Sequence, residues 1–72
     1  MSTYFYFNDE RFYPKVGDII CYNYVYWYIF TKIVYGDAII QDMFSDFKFK
    51  YHKYANYSGQ IKVFDGENWK KY

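Results

Sequence analysis

The segment CYNYVYWYIFTKIVYG, residues 21–36, alternates like a β-strand yet leaves neither of its faces polar. One set of alternate positions holds Trp27, Ile29, Thr31, Ile33 and Tyr35, and the other holds Tyr22, Tyr24, Tyr26, Tyr28 and Phe30. Successive side chains of a strand point to opposite faces of its sheet. A chain of 72 residues builds a single core, so the second apolar face needs a cover of its own.

The rest of the composition fits a sheet protein. The chain has 12 Tyr, 8 Phe and 2 Trp, with little Leu or Ala to favour helices, and aromatic residues suit pleated, half-buried surfaces. Tyr in this abundance also characterises binding surfaces, because it offers contact area and a hydroxyl at small entropic cost. Cys21 alone makes no internal disulfide, and Cys21 with His52 supplies too few ligands for zinc. No cofactor is expected. A lone thiol suits a reducing compartment, and neither a signal peptide nor an apolar run of about 18 to 20 residues is present. The expectation is a cytoplasmic protein away from membranes.

Along the chain, STYFYFNDERFYPK reads as an N-terminal strand or arm (residues 1–14) that turns at Asn8 and Asp9 and ends at Pro14. Strands are then expected over Val16–Tyr22, Val25–Tyr35 and Ala38–Phe44, with a tight turn at Asn23 and Tyr24 and another at Gly36 and Asp37. In SDFKFKYHKY, Phe47, Phe49 and Tyr51 share one face while Lys48, Lys50 and His52 share the other, the pattern of a half-buried antiparallel strand. Residues 56–60 read as a loop or one helical turn before QIKVF, and Asp65-Gly66 as a type I′ hairpin turn returning through Glu67 to Lys71. The whole is expected to be a single all-β domain over residues 1–72, a small five- to six-stranded barrel or a strongly bent antiparallel sheet.

Val16-Gly17-Asp18-Ile19-Ile20, then Trp27-Tyr28 leading to Thr31-Lys32-Ile33, then Asp37 and Ala38 to Gln41, resembles the start of an SH3-like or Tudor-like barrel across residues 16–44. The Tudor likeness implies an aromatic cage for a methylated cation, for which Tyr22, Tyr28 and Phe44 or Phe47 are the candidates. In size and Tyr-rich character the chain is also similar to small bacteriophage proteins of low-GC Gram-positive hosts. That likeness implies binding to and inhibition of one host machine, such as the DNA sliding clamp, RNA polymerase or a defence nuclease.

The residues themselves point away from catalysis. Cys21 falls in an expected core strand, His52 lies between Lys50 and Lys53, and the carboxylates are scattered. The four glycines stand singly and form no phosphate loop. Charge is uneven: residues 1–46 hold three bases against six acids, and residues 47–72 hold six lysines against two acids.

The aromatic surplus favours a non-enzymatic binding protein. With Trp27, Ile29, Thr31 and Ile33 facing inward alongside Ile19 or Ile20, Ile40, Ile61 and Val63, the partner or dimer surface is Tyr22, Tyr24, Tyr26, Tyr28 and Phe30. Three covers present themselves for that face: the arm over Tyr4–Phe7, a second copy in a homodimer, or a host protein. Asp37, Asp42, Asp46, Asp65 and Glu67 are candidate contacts to a basic, DNA-handling target. The alternative function is a nucleic-acid-binding barrel using Lys48, Lys50 and Lys53 on phosphates, and a third is a nucleotide-signal sponge or anti-defence protein.

Overall fold

The computed structural model describes residues 3–34 and 36–72. Over these residues the chain is all-β, with nine strands and no helix. They are β1 (Phe5–Phe7), β2 (Glu10–Phe12), β3 (Ile19–Tyr22), β4 (Tyr26–Val34), β5 (Asp37–Asp42), β6 (Lys48–His52), β7 (Asn56–Tyr57), β8 (Ile61–Phe64) and β9 (Trp69–Lys71). A six-stranded antiparallel sheet runs in the order β6-β5-β4-β3-β8-β9, and a three-stranded sheet in the order β2-β1-β7. There are more strands than the five or six expected, because the N-terminal arm forms the β1–β2 hairpin and residues 56–57 add a strand. The β1–β7 pairing is parallel, a contact between distant segments that no local pattern announces.

Turn chemistry explains the hairpins. Asn8 and Asp9 both take positive φ (50° and 67°), giving β1–β2 a two-residue connection whose twist suits antiparallel strands, and Asn23 and Tyr24 (51° and 66°) open a three-residue connection completed by Val25. The β8–β9 connection is built differently. Only Gly66 has positive φ there, and the Asp65 carboxylate caps the loop by accepting the amides of Glu67 and Asn68, each at 2.9 Å. The expected type I′ turn is therefore a four-residue loop held by a side chain.

The core lies between the two sheets. Phe5, Phe7 and Phe12 from the small sheet meet Ile20, Phe30, Ala38, Ile40, Ile61 and Val63 from the large one. Ile20, Ile40, Ile61 and Val63 are thus buried as expected. The register of β4 is the correction. Phe30 is 1% exposed and Tyr28 packs against the core, whereas Trp27 and Ile29 lie on the other face and Thr31 is exposed. A β-bulge causes the switch: Phe30 pairs with Ile40 and Lys32 with Ile39, leaving Thr31 as the extra residue. Ile33, beyond the bulge, returns to the core side, so the inward set is Tyr28, Phe30 and Ile33. The N-terminal hairpin decides which face is covered, because Phe5 stacks on Phe30 at 6.1 Å between ring centroids and Phe12 packs against it, tilted, at 5.8 Å.

Along one side the β6–β7 connection carries the chain from the large sheet to the small one and extends the β1–β7 ladder, with the Tyr6 amide donating to the Ala55 carbonyl (2.8 Å) and the Tyr54 amide to the Tyr4 carbonyl (3.0 Å). The other side is bridged by an ion pair between Lys70 of β9 and Glu10 of β2. Asp18, the buried carboxylate among the described residues, closes the turn before β3 by accepting the Lys15 amide at 2.9 Å.

Candidate functional site

Two hairpin connections project from the same end of the large sheet: the β3–β4 turn at residues 23–25 and the β5–β6 loop at residues 43–47. The loop is fixed by its own polar groups. Asp42 donates its amide to the Phe47 carbonyl (2.9 Å), the Asp42 carboxylate accepts the Phe44 amide (2.7 Å), and Ser45 Oγ accepts the Phe47 amide (3.2 Å). Met43 donates its amide to the Trp27 carbonyl, tying the loop to β4. Phe44 and Phe47 are thereby held 79% and 72% exposed. Tyr24, Val25, Tyr26, Met43 and Phe49 are exposed at the same end.

These side chains are continuous with the core. Phe47 stacks on Phe49, Phe49 meets Tyr28 edge-on at 5.5 Å, and Tyr28 lies parallel to Tyr26 at 6.5 Å. A cavity of about 260 Å³ opens along this ring row, lined by Tyr22, Tyr28, Ile40, Phe49, Tyr51 and Tyr57 among others. Burial, then the nearby Asp42 carboxylate, raises the Tyr28 hydroxyl above its usual range; burial beside Tyr57 raises Tyr51 much further. Both stay neutral donors at physiological pH. On the loop's other side an open depression of about 610 Å³ is walled by Ile29, Gln41, Asp42, Phe44 and Asp46 among others. The end is therefore apolar with a carboxylate rim.

The residues expected to form a surface are divided by this geometry. Tyr24 and Tyr26 are exposed, Tyr22 and Tyr28 line the cavity, and Phe30 is sealed beneath the N-terminal hairpin. Of the cage candidates, Tyr22 and Tyr28 share the cavity while Phe47 joins it through Phe49. The five acids do not gather: Asp42 and Asp46 accompany the aromatic end, whereas Asp37 and the Asp65–Glu67 turn lie at the opposite end of the sheet. Lys48 and Lys50 face outward on β6, but Lys53 lies past that strand with its ammonium 4.8 Å from the Tyr54 ring centroid.

Cys21 is buried, and His52 Nδ1 pairs with Asp37 at 3.2 Å. They sit on β3 and β6, three strand spacings apart and at opposite ends of the sheet, Cys21 level with Trp27 and His52 level with Val34. Among the described residues no group of three or more His, Cys, Asp or Glu is placed to hold a metal ion, and no helix is long and apolar enough to cross a membrane.

Sequence reasoning passed over Phe44 as an exposed anchor and assigned Trp27 to the core. The signal for Phe44 and Phe47 was their position on either side of Ser45 and Asp46, turn-forming residues that send flanking side chains outward. Comparison of the chain with protein-family models, curated proteins and solved structures gave no match in any of the three.

Proposed function

We propose that this is a non-enzymatic binding protein that seats the aromatic hairpin end on a host protein of nucleic-acid metabolism, such as the DNA sliding clamp or RNA polymerase, and blocks it. The observation that carries this reading is the contiguous ring row of Phe47, Phe49, Tyr28 and Tyr26, with Phe44 exposed on the other side of the same loop beside Asp42 and Asp46. Exposed apolar patches of this kind mark interfaces. Aromatic side chains fixed by a rigid loop bring large contact area with little entropy left to lose. The two carboxylates favour a target whose contact surface is apolar and basic, as DNA-handling proteins present to phosphates.

The test is binding of the purified protein to purified clamp and polymerase, alongside capture from a nuclease-treated lysate of a Gram-positive host. A Phe44→Asp, Phe47→Asp double variant should stay folded, because both side chains are exposed, and should lose at least about thirtyfold in affinity if they are anchors. Equal retention of the captured protein by wild type and double variant would defeat the proposal. So would the loss of every partner on nuclease treatment.

A further inference from the structure

The outer face of the six-stranded sheet, turned away from the core, sorts the chain's charge in a way its two halves do not. Directly opposed residues form a row across all six strands: Trp69 of β9, Phe64 of β8, Ile19 of β3, Ile29 of β4, Gln41 of β5 and Lys48 of β6. On one side of the row Lys71, Lys62, Cys21 and Trp27 are paired in the same manner. On its other side Lys32, Ile39 and Lys50 are paired. Five of the eight lysines therefore share this face; of the acids, Asp37 lies on it, already paired with His52, and Asp42 and Asp46 border it beside Ile29 and Gln41.

Both tryptophans belong to the face. Trp27 and Trp69 meet edge-to-face at 5.8 Å, and Phe64 lies 5.2 Å from Trp69. Trp69 is 47% exposed on an edge strand, with the Lys62 ammonium 5.8 Å from its ring centroid. An aromatic and aliphatic row is thus flanked by lysines, two on one side towards β9 and two on the other towards β6, with Lys48 at its end. Small barrels hold single strands with this combination, rings stacking on bases while ammonium groups follow the phosphates.

We infer that this outer face binds single-stranded nucleic acid, with the chain laid across the strands along the row from Trp69 to Lys48. Five strand spacings give the row a length of about 24 Å, which suits the short end of the roughly 4 to 16 nucleotides that a small barrel accommodates. Charge complementarity selects the occupant. A second copy would set five lysines against five lysines, and an apolar protein would leave them unpaired. The inference goes beyond the protein contact proposed above, and its row adjoins that site at Ile29 and Gln41, beside Phe44.

The experiment is fluorescence anisotropy with a labelled oligothymidylate of twelve nucleotides. Binding should be saturable at 50 mM salt and weaken roughly fiftyfold by 200 mM, as expected when about four phosphates are neutralised. Trp69→Ala removes a stacking ring from an exposed edge and should weaken binding roughly five- to hundredfold. Lys62→Glu and Lys50→Glu should each weaken it and flatten the salt dependence, while Lys15→Glu, off this face, should do neither. Phe47→Ala, which adds no charge and lies across the loop from the Ile29–Gln41 depression, should bind the oligonucleotide as wild type does while weakening the protein contact, which separates failure here from failure there. The inference is overturned if no saturable binding occurs at 50 mM salt. It is equally overturned if Trp69→Ala and Lys62→Glu leave binding intact, or if sedimentation shows a dimer that shields Trp69 from an aqueous quencher.

Discussion

Phe5 and Phe30 lie almost parallel, 11° apart with centroids separated by 6.1 Å, and both are sealed from solvent. One comes from the N-terminal hairpin and the other from the middle of the longest strand. This stacking joins the two sheets, and it settles which face of the large sheet becomes the core. Truncating either ring should cost about 3–5 kcal/mol, a large share of the roughly 4–11 kcal/mol available to a domain of this size. Phe30→Ala is therefore expected to be largely unfolded at 37 °C, measured as loss of a cooperative thermal transition. Phe44→Ala, at an exposed loop position, should leave that transition within a few degrees of wild type.

The bulge at Thr31 makes an unusual deletion tolerable. Without Thr31 the ladder Phe30–Ile40, Lys32–Ile39, Ile33–Ala38 becomes a regular alternation, with every side chain keeping its face. The deletion loses the Thr31 hydroxyl bond to the Ile39 carbonyl and the local twist, a cost of about 1–2 kcal/mol. Deleting Ile29 instead reverses every residue before it and should abolish folding. Urea denaturation of the two deletion variants distinguishes these outcomes.

Gly59 is the position where an added methyl group has nowhere to go. Its φ is +143°, and a Cβ would lie 2.8 Å from Tyr22 Cε2 and 2.9 Å from Asn23 Oδ1. Tyr22 is not free to swing aside, since its hydroxyl donates to the Ser58 carbonyl. Gly59→Ala should lower stability by about 1–3 kcal/mol. Gly17→Ala, with φ +97° and open space around it, carries backbone strain without the collision and should cost less in the same melt.

Alkaline unfolding should carry the signature of Tyr51. Burial raises its hydroxyl above the ordinary value of 10.0, so the unfolded chain releases the proton first as pH climbs. Stability is then constant below about pH 10 and falls above it, through the raised folded value. Tyr51→Phe removes this ionisation and should make the decline in urea midpoint between about pH 9.5 and 11 shallower. Tyr28 and Tyr72, both also raised by burial, leave a residual slope.

The sequence made much of the architecture legible. Turn pairs at Asn8-Asp9 and Asn23-Tyr24, and the alternation of Phe49 and Tyr51 with Lys48, Lys50 and His52, placed hairpins and one strand face correctly. What it hid was non-local. Trp27 and Ile29 are as apolar as Tyr28 and Phe30, so periodicity alone does not orient β4, and a one-residue bulge erases any phase carried across it. The lysine face was half legible: Lys48 and Lys50 alternate within one strand, but Lys32, Lys62 and Lys71 join them only through cross-strand register.

The parallel pairing of β1 with β7 gives the fold a particular order in time. Asn8, at the end of β1, reaches 51 residues along the chain to donate to the Gly59 carbonyl and also accepts the Gly59 amide. During synthesis β1 emerges long before its partner, so its phenylalanines must wait, uncovered, for nearly the whole large sheet. Contacts of such separation slow folding. A ribosome-bound chain stalled before residue 56 is a sticky aromatic hairpin in search of company, and the protein's window of vulnerability closes only when β7 and β8 arrive.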